Sequence, residues 1–298
     1  MKKIVNRFLF ENTKTIKVDI AIKIIAAFGI LKTLIILPDL KFIGEFGLIK
    51  SAVNARHISW YQPVFNWFFE PFNYLGISEN MTLLLFEILF IISLCCVFFN
   101  YKRIVFALIS WFIHFTFINS TYLFSYGADY FTTFMLFVNL MFCLTYLANS
   151  ANQKLLFSFV IRFLQVHLCI VYFYAGLGKA LGINWFDGNA VWYVINGFTS
   201  SSTIESAIPL INYPIVFKII CWGTIALELL YPILIFTKKT RKVTLYLVLL
   251  MHLSIGVFME FYTFGLIMIL INIIAYGHYI NWSLPKLKKR SVLKTDIA

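Results

Sequence analysis

Membrane-length apolar runs leave this chain few choices of fold. About eight occur, near residues 17 to 38, 80 to 99, 103 to 121, 129 to 148, 156 to 178, 213 to 237, 243 to 259 and 261 to 280. A hydrocarbon core about 30 Å thick needs roughly 20 apolar residues per helix and offers no water to an unpaired backbone group. The runs are rich in Ile, Phe and Leu without the alternation of a barrel strand, so they predict helices. With 61% hydrophobic and only 13% charged residues among 298, little remains for a soluble domain. The expected fold class is all-α, a polytopic integral membrane helical bundle of about eight transmembrane helices. No tandem repeat or Pro/Gly/Ser-rich linker divides it, so one domain is expected over 1–298, with its core at 15–280.

A formal net charge of +12 raises the question of nucleic acid, and the positions of the 25 basic residues answer it. Counting from a cytoplasmic N-terminus, one side collects Lys2, Lys3, Arg7, Lys14 and Lys17, then Lys102 and Arg103, then Lys154. The basic turn at 238–242 and the tail at 286–294 fall on that side too, while the other side holds Lys41, Lys50 and Arg56. This positive-inside pattern predicts a multi-pass protein of the cytoplasmic membrane with both termini cytoplasmic, the lipid bilayer as partner and no nucleic acid. The first run contains Asp19, Lys23 and Lys32, too polar for a signal-peptide core, and is read as a retained helix. Cys95, Cys96, Cys143, Cys169 and Cys221 fall in predicted spans without metal-type spacing, so buried free thiols and no metal are expected.

Two outer segments are longer than connectors need to be. Residues 39–79 include "WYQPVFNWFFEPFNYLGI", which suits an interfacial helix, as an anchor or as a lid over a lipid-soluble substrate. Residues 179–212 include "WFDGNAVWYVINGFTSSST", whose polar and aromatic residues can cap the outer mouth of a bundle.

A charge at mid-membrane costs on the order of 3 kcal/mol on insertion scales, so ionisable residues in the runs are functional candidates. In the fifth run Arg162, Gln165, Cys169, Tyr172, Gly176 and Lys179 recur at steps of three and four, on one helical face. At 1.5 Å per residue Arg162 and Lys179 stand about 25 Å apart. Arg162 is then a headgroup anchor or substrate contact at the inner end, and Lys179 belongs to the outer mouth. Glu228, mid-way along the sixth run, needs a partner, and Arg162, Lys179, Lys218 and His252 are available. His252 lies mid-way along the seventh run; His114 and His167 have less around them. Glu87 and Asp129 are expected near outer helix ends within reach of water, and Lys23 and Lys32, on opposite faces of the first helix, define no site. A neutral lysine amine is a strong base, and partial desolvation beside other cations favours it. Lys179, under an aromatic cap and with no carboxylate within six residues in the chain, suits that role.

"RFLQVHLCIVYFYAGLGKALGINWFDGNAVWY", then "ALELLYPILIF", the basic turn "KKTRK" and "LMHLSIGVF" together resemble a known family. It is the horizontally transferred transmembrane (HTTM) family, which includes the membrane domain of vitamin K-dependent gamma-glutamyl carboxylase and bacterial relatives. The matching residues are Arg162, Gln165, Tyr172, Ala175, Gly176, Lys179, Trp185, Gly188, Ala190, Glu228, Pro232, Arg241 and His252. "YGAD" at 126–129 and "FGLI" at 46–49 are weaker features of the likeness, which spans roughly 15–280. In the carboxylase a lysine in the "AG..K" segment deprotonates vitamin K hydroquinone, before a glutamate γ-proton is removed and carbon dioxide adds. By position that lysine corresponds to Lys179. Residues and resemblance together suggest Lys179, His252 and Glu228 as catalytic residues, and Arg162, Gln165, Tyr172, Trp185, Asp187 and Asp129 as substrate contacts. They imply a reduced, vitamin K-like quinone as cofactor, with O2 and CO2.

Short single-domain relatives include a membrane protein needed to mature a sporulation-delaying peptide toxin. Three readings therefore stay open. One is an intramembrane enzyme with a lysine base acting on a quinol-like or peptide substrate. Another is a non-catalytic factor for maturation or export of a small secreted peptide, with a co-encoded protein as partner. A proton-coupled transporter is the third, against which no inverted repeat or broken-helix pair is visible.

Overall fold

The structure, a computed structural model, describes residues 17–38, 61–121 and 124–280. "FGLI", Trp60, Lys41, Lys50, Arg56, the basic residues at 2–14 and the basic tail at 286–294 lie outside the described residues. Among those described, twelve α-helices and two short 3-10 turns occur, and no strand. In chain order they are α1 (Val18–Ile36), α2 (Asn66–Tyr74), α3 (Glu79–Phe98), α4 (Arg103–Ser120) and α5 (Gly127–Leu144). Then come α6 (Ser150–Ala180), α7 (Ile183–Asp187), α8 (Ala190–Phe198), α9 (Ser201–Ile211), α10 (Pro214–Phe236), α11 (Arg241–Phe258) and α12 (Tyr262–Tyr276).

The eight long helices fall where the apolar runs predict them, and the chain is a helical membrane protein. Seven are long and apolar enough to cross a membrane among the described residues; α1, with 19 residues, is the one that is not. Its charges are the reason, and the fold neutralises them locally. Asp19 pairs with Lys23 at 3.1 Å and lies 3.6 Å from Arg103, while Lys32 is buried against Asp129. Polarity that would be costly in lipid is placed inside the bundle instead.

The long helices form two groups of four. In one, α1, α3, α4 and α5 pack on one another; in the other, α6 packs on α10, α10 on α11, and α11 on α12. Helix α12 also meets α5 and α1, and one apolar core runs through both groups, with Ile22, Leu94, Met135, Phe142, Ile161, Leu164 and Tyr276 fully buried. Large apolar side chains such as Leu34, Ile219, Ile233, Val243 and Leu250 are exposed on the outside, the inside-out pattern of a lipid-facing surface.

The short helices are tied to this bundle. Phe65 and Phe69, at the start of α2, bury against Leu83 and Phe117, and the Phe65 N–H donates to Ser120 Oγ at 2.8 Å. Helices α7 to α9, in the segment expected to form a cap, lie against the N-terminal half of α10. Ala190, Val191, Ile195 and Ala207 pack there on Phe217 and Cys221, and Trp222 Nε1 donates to the Phe186 carbonyl at 2.8 Å.

Candidate functional site

Helix α6 presents its polar stripe to the other helices of its own group, and glycine sets how closely. A Cβ on Gly176 would lie 2.7 Å from the Leu229 nitrogen and 3.0 Å from Glu228 Cβ, so only glycine lets α10 approach here. That approach brings Glu228 onto α6 one turn from Lys179. Lys179 Nζ donates to Glu228 Oε2 at 2.7 Å, with the lysine side chain 22% and the glutamate 6% exposed. The acid that Lys179 lacks in its own segment thus comes from 49 residues further along the chain. Pro232 has no N–H to give the Glu228 carbonyl four residues back, which loosens α10 beside the acid.

Above the pair, Lys179 Nζ sits 5.2 Å from the Trp185 ring, a cation–π contact. The placement of Trp185 follows from local chain chemistry. Gly182 ends the α6 turn, and Gly188, at φ 86°, closes α7 in the left-handed region. A Cβ on Gly188 would also meet Lys218 Cγ at 2.5 Å, so the turn is pinned on α10.

About two turns of α6 below Lys179, a hydrogen-bonded chain is sealed from solvent. Tyr231 O–H donates to Asn272 Oδ1 at 2.8 Å, Asn272 Nδ2 donates to the Tyr172 oxygen at 2.7 Å, and Tyr172 lies 2.7 Å from His252 Nε2. Which of Tyr172 and His252 donates follows the imidazole tautomer. His252 Nδ1 is buried with no hydrogen-bond partner, and the chain ends there. Further along α6, Tyr276 donates to the Gln165 carbonyl at 3.0 Å, Gln165 Nε2 donates to the Ala275 carbonyl at 2.7 Å, and Arg162 donates to Gln165 Oε1 at 2.7 Å.

The other group of helices holds a second ionic centre. Lys32 Nζ lies 2.5 Å from Asp129 Oδ1 and 3.2 Å from His114 Nε2, with the lysine and aspartate side chains 3% and 7% exposed. His114 Nδ1 meets Thr133 Oγ1 at 2.8 Å, and Asp129 Oδ2 accepts the Tyr126 N–H at 2.9 Å, capping α5. Glu87 is also buried, and it lines, with Lys32, Thr33, His114, Phe90 and Phe117, a cavity of about 20 Å³, enough for one water.

The structure therefore gathers Lys179, Glu228 and Trp185 at one point, with Tyr172 and His252 about two turns of α6 below, and Gln165 and Arg162 at the far end of the stripe. Asp187 is exposed at the end of α7. Asp129 belongs to the other centre, and neither it nor Glu87 is open to water: α1 covers them, and the α5 cap holds Asp129 inward. Lys32 and His114, unremarkable in the sequence, are the residues that complete this centre. The available signal was their burial-incompatible chemistry inside apolar runs; the pairing of α1 with α5 has no local trace.

Outside the spans, Glu260 connects the cap to the bundle. It stands at φ 58° in the α11–α12 turn and accepts from Ser200 Oγ at 2.5 Å, Thr203 Oγ1 at 2.6 Å and the Ser200 N–H at 3.0 Å. The Ser200 hydroxyl first, then Thr203, hold its carboxyl below the usual glutamate range.

Fold and site define a polytopic helical membrane protein with a partly exposed lysine–carboxylate pair capped by aromatic helices. The chain belongs to the HTTM domain family, whose model matches residues 21–282. No curated protein and no solved structure matches it.

Proposed function

We propose that this protein is an intramembrane, gamma-carboxylase-like enzyme in which Lys179 is the general base toward a quinol-like substrate and Glu228 is the acid that shares its proton. The observation that carries the reading is a lysine held 2.7 Å from a buried carboxylate yet still 22% exposed beside the Trp185 ring. A purely structural pair gains nothing from leaving its ammonium reachable.

Proton balance follows from that geometry. With the pair ionised, Lys179 is not yet a base. Passing its proton to Glu228 Oε2 frees the amine, which then accepts a proton at Nζ and regains its charge. Glu228 is left neutral, and Lys179 has a new anion as counter-ion in place of the old one, so no net charge is added to a low-dielectric site. Tyr172 and His252 support the pair from below as positioning residues.

A flat phenolic co-substrate fits the donor set here, an amine next to an indole face under a cap of Trp185, Phe186 and Trp222. A vitamin K-type hydroquinone, when bound, supplies an acidic hydroxyl and two-electron redox chemistry; Trp185 would stack on it and Lys179 would face its hydroxyl. A carboxylase-type reaction would draw on O2 and CO2 as well. The asymmetry of basic residues supports the cytoplasmic membrane and cytoplasmic termini, which reporter fusions at each end would test.

The test is spectroscopic. A naphthohydroquinone titrated into the purified protein is expected to show the red-shifted absorption of its anion with the wild type, and not with Lys179→Ala. Lys179→Arg separates base from charge, because a guanidinium holds a counter-ion but does not give up its proton. If the arginine variant produces the anion as well as wild type, Lys179 is an electrostatic contact and not a base.

A second reading rests on the sealed Tyr231–Asn272–Tyr172–His252 chain, which resembles a structural network more than a substrate channel. On that reading the protein is a non-catalytic factor for a small secreted peptide. Mass spectrometry of a co-encoded peptide, with and without the protein, distinguishes them: an enzyme changes its mass beyond signal removal, and a binding factor does not.

A further inference from the structure

We infer that α8 and α9 form a lid over the Lys179–Glu228 pair, latched shut by Glu260, with Trp185 passing the state of the lid to the lysine. The latch stands on a fixed turn. Behind it α11 and α12 pack backbone to backbone, since a Cβ on Gly265 would lie 2.5 Å from the His252 carbonyl oxygen and 3.0 Å from Gly256 Cα. In front, Tyr126 at the start of α5 hydrogen-bonds Thr263 Oγ1, and its ring lies 6.1 Å from that of Phe261. Glu260 itself stands at φ 58°, a left-handed backbone that glycine adopts freely and a glutamate does not. The turn thus carries this side chain against local preference, the kind of outlier that marks a functional position. Its carboxylate takes the Ser200 and Thr203 hydroxyls and the Ser200 N–H, all at the joint between α8 and α9.

Little else holds the lid. Among the described side chains of α9 only Ala207 is buried, while Ile208 and Ile211 are exposed. Pro209 inside α9 brings no N–H to the helix. Helix α8 adds Ala190, Val191 and Ile195, packed on Phe217 and Cys221 of α10. A segment with so few buried apolar contacts opens at low free energy, and moving lids are drawn from such segments.

The same small cluster joins the latch to the lysine. Met259, next to Glu260 in the chain, packs on it, and so does Trp185. Trp185 in turn lies 5.2 Å from Lys179 Nζ. Helix α7 stays behind when the lid lifts, because Gly188 is seated on Lys218 and Trp222 Nε1 holds the Phe186 carbonyl. Lifting α8 and α9 therefore strips the backing from Trp185 and frees its indole to leave the amine, while the Lys179–Glu228 pair keeps its place. This requires that Lys179 be reached from outside the bundle, and not that it act as a base.

The purified full chain is labelled with sulfo-N-hydroxysuccinimide acetate, a water-soluble amine reagent, and each lysine is followed by peptide mass spectrometry. Exposed Lys238 and Lys239 serve as internal standards. Glu260→Gly removes the latch and suits the backbone of its turn; Ser200→Ala/Thr203→Val removes it from the lid side. Both are expected to label Lys179 about fivefold faster than wild type, the change that losing the net worth of one hydrogen bond implies, with Lys238 and Lys239 unchanged. An unchanged rate at Lys179 in either folded variant overturns the lid. So does an equal rise at all three lysines with a lower Tm, which marks general loosening. Labelling reads reach and not proton transfer from a hydroquinone, so the lid can fail while the base stands, and the base can fail while the lid stands.

Discussion

Each group of four helices buries one lysine against one carboxylate, and the two pairs differ in what surrounds them. Lys32 and Asp129 are enclosed by α1, α4 and α5, share His114 and leave 3% of the lysine exposed. Lys179 and Glu228 sit where α6 meets α10, with 22% of the lysine exposed beneath an indole ring. Identical chemistry therefore has two uses: a pair closed on all sides joins helices, and a pair with one open side can exchange its partner. Breaking either pair strands a buried carboxylate at a cost to folding; on the proposed function, breaking the open pair also costs proton transfer.

Breaking the enclosed pair is expected to have the largest effect. Lys32→Met leaves Asp129 buried and unpaired, which costs about 3–5 kcal/mol, and is expected to abolish or sharply lower the folded yield after purification. Adding Asp129→Leu removes the stranded charge and should restore most of it. If Lys32→Met alone folds normally, the contrast between the pairs is lost.

At the open pair a second loss is expected. Lys179→Ala leaves Glu228, 6% exposed, without its cation and should lower Tm, and in the molecules that fold it should lower deprotonation of a bound hydroquinone by about 10²-fold or more, the usual worth of a general base. Glu228→Gln should lower it as well, because the amide cannot take the lysine's proton. Measured anion absorbance checks both, and Tm shows whether folding was spared.

A smaller effect sharpens how the open pair is held. Gly176→Ala puts a methyl against the Leu229 backbone and should cost about 1–3 kcal/mol by overpacking. It should also move Glu228 away from Lys179, so Tm and deprotonation fall together, whereas Gly178→Ala, with open space around it, should change neither.

The smallest effect concerns the cap over the open pair. The Glu260 carboxyl is held below the usual range, so its contribution is present above that range and is lost as pH falls through the lowered folded value. Cap cleavage by an added acid-active protease should therefore rise at low pH in wild type. Glu260→Gln should show the raised cleavage already at neutral pH.

Much of the architecture was legible before any coordinates. The eight runs became the eight long helices, since length and apolarity are local properties that lipid reads directly. The stripe from Arg162 to Lys179 was legible for the same reason, because helical periodicity puts those residues on one face whatever they meet. Its partners were less so. Glu228 had four candidate partners, Arg162, Lys179, Lys218 and His252, and that set could not be narrowed without knowing that Gly176 is the point of closest approach. The Lys32 centre went unseen as a centre, since its members come from four helices: Asp129 was assigned to the Lys179 site, and Lys32, Glu87 and His114 were assigned to none.

By itself the chain's order of residues determined that this is a helical membrane bundle, where its helices lie and which face of α6 is polar. These follow from backbone hydrogen bonding in hydrocarbon and from a period of 3.6 residues. Only tertiary structure decided which carboxylate meets which lysine and which of the two pairs stays open. That choice depends on interhelical distance, and a missing Cβ at Gly176 has consequences only when α10 is there to come close.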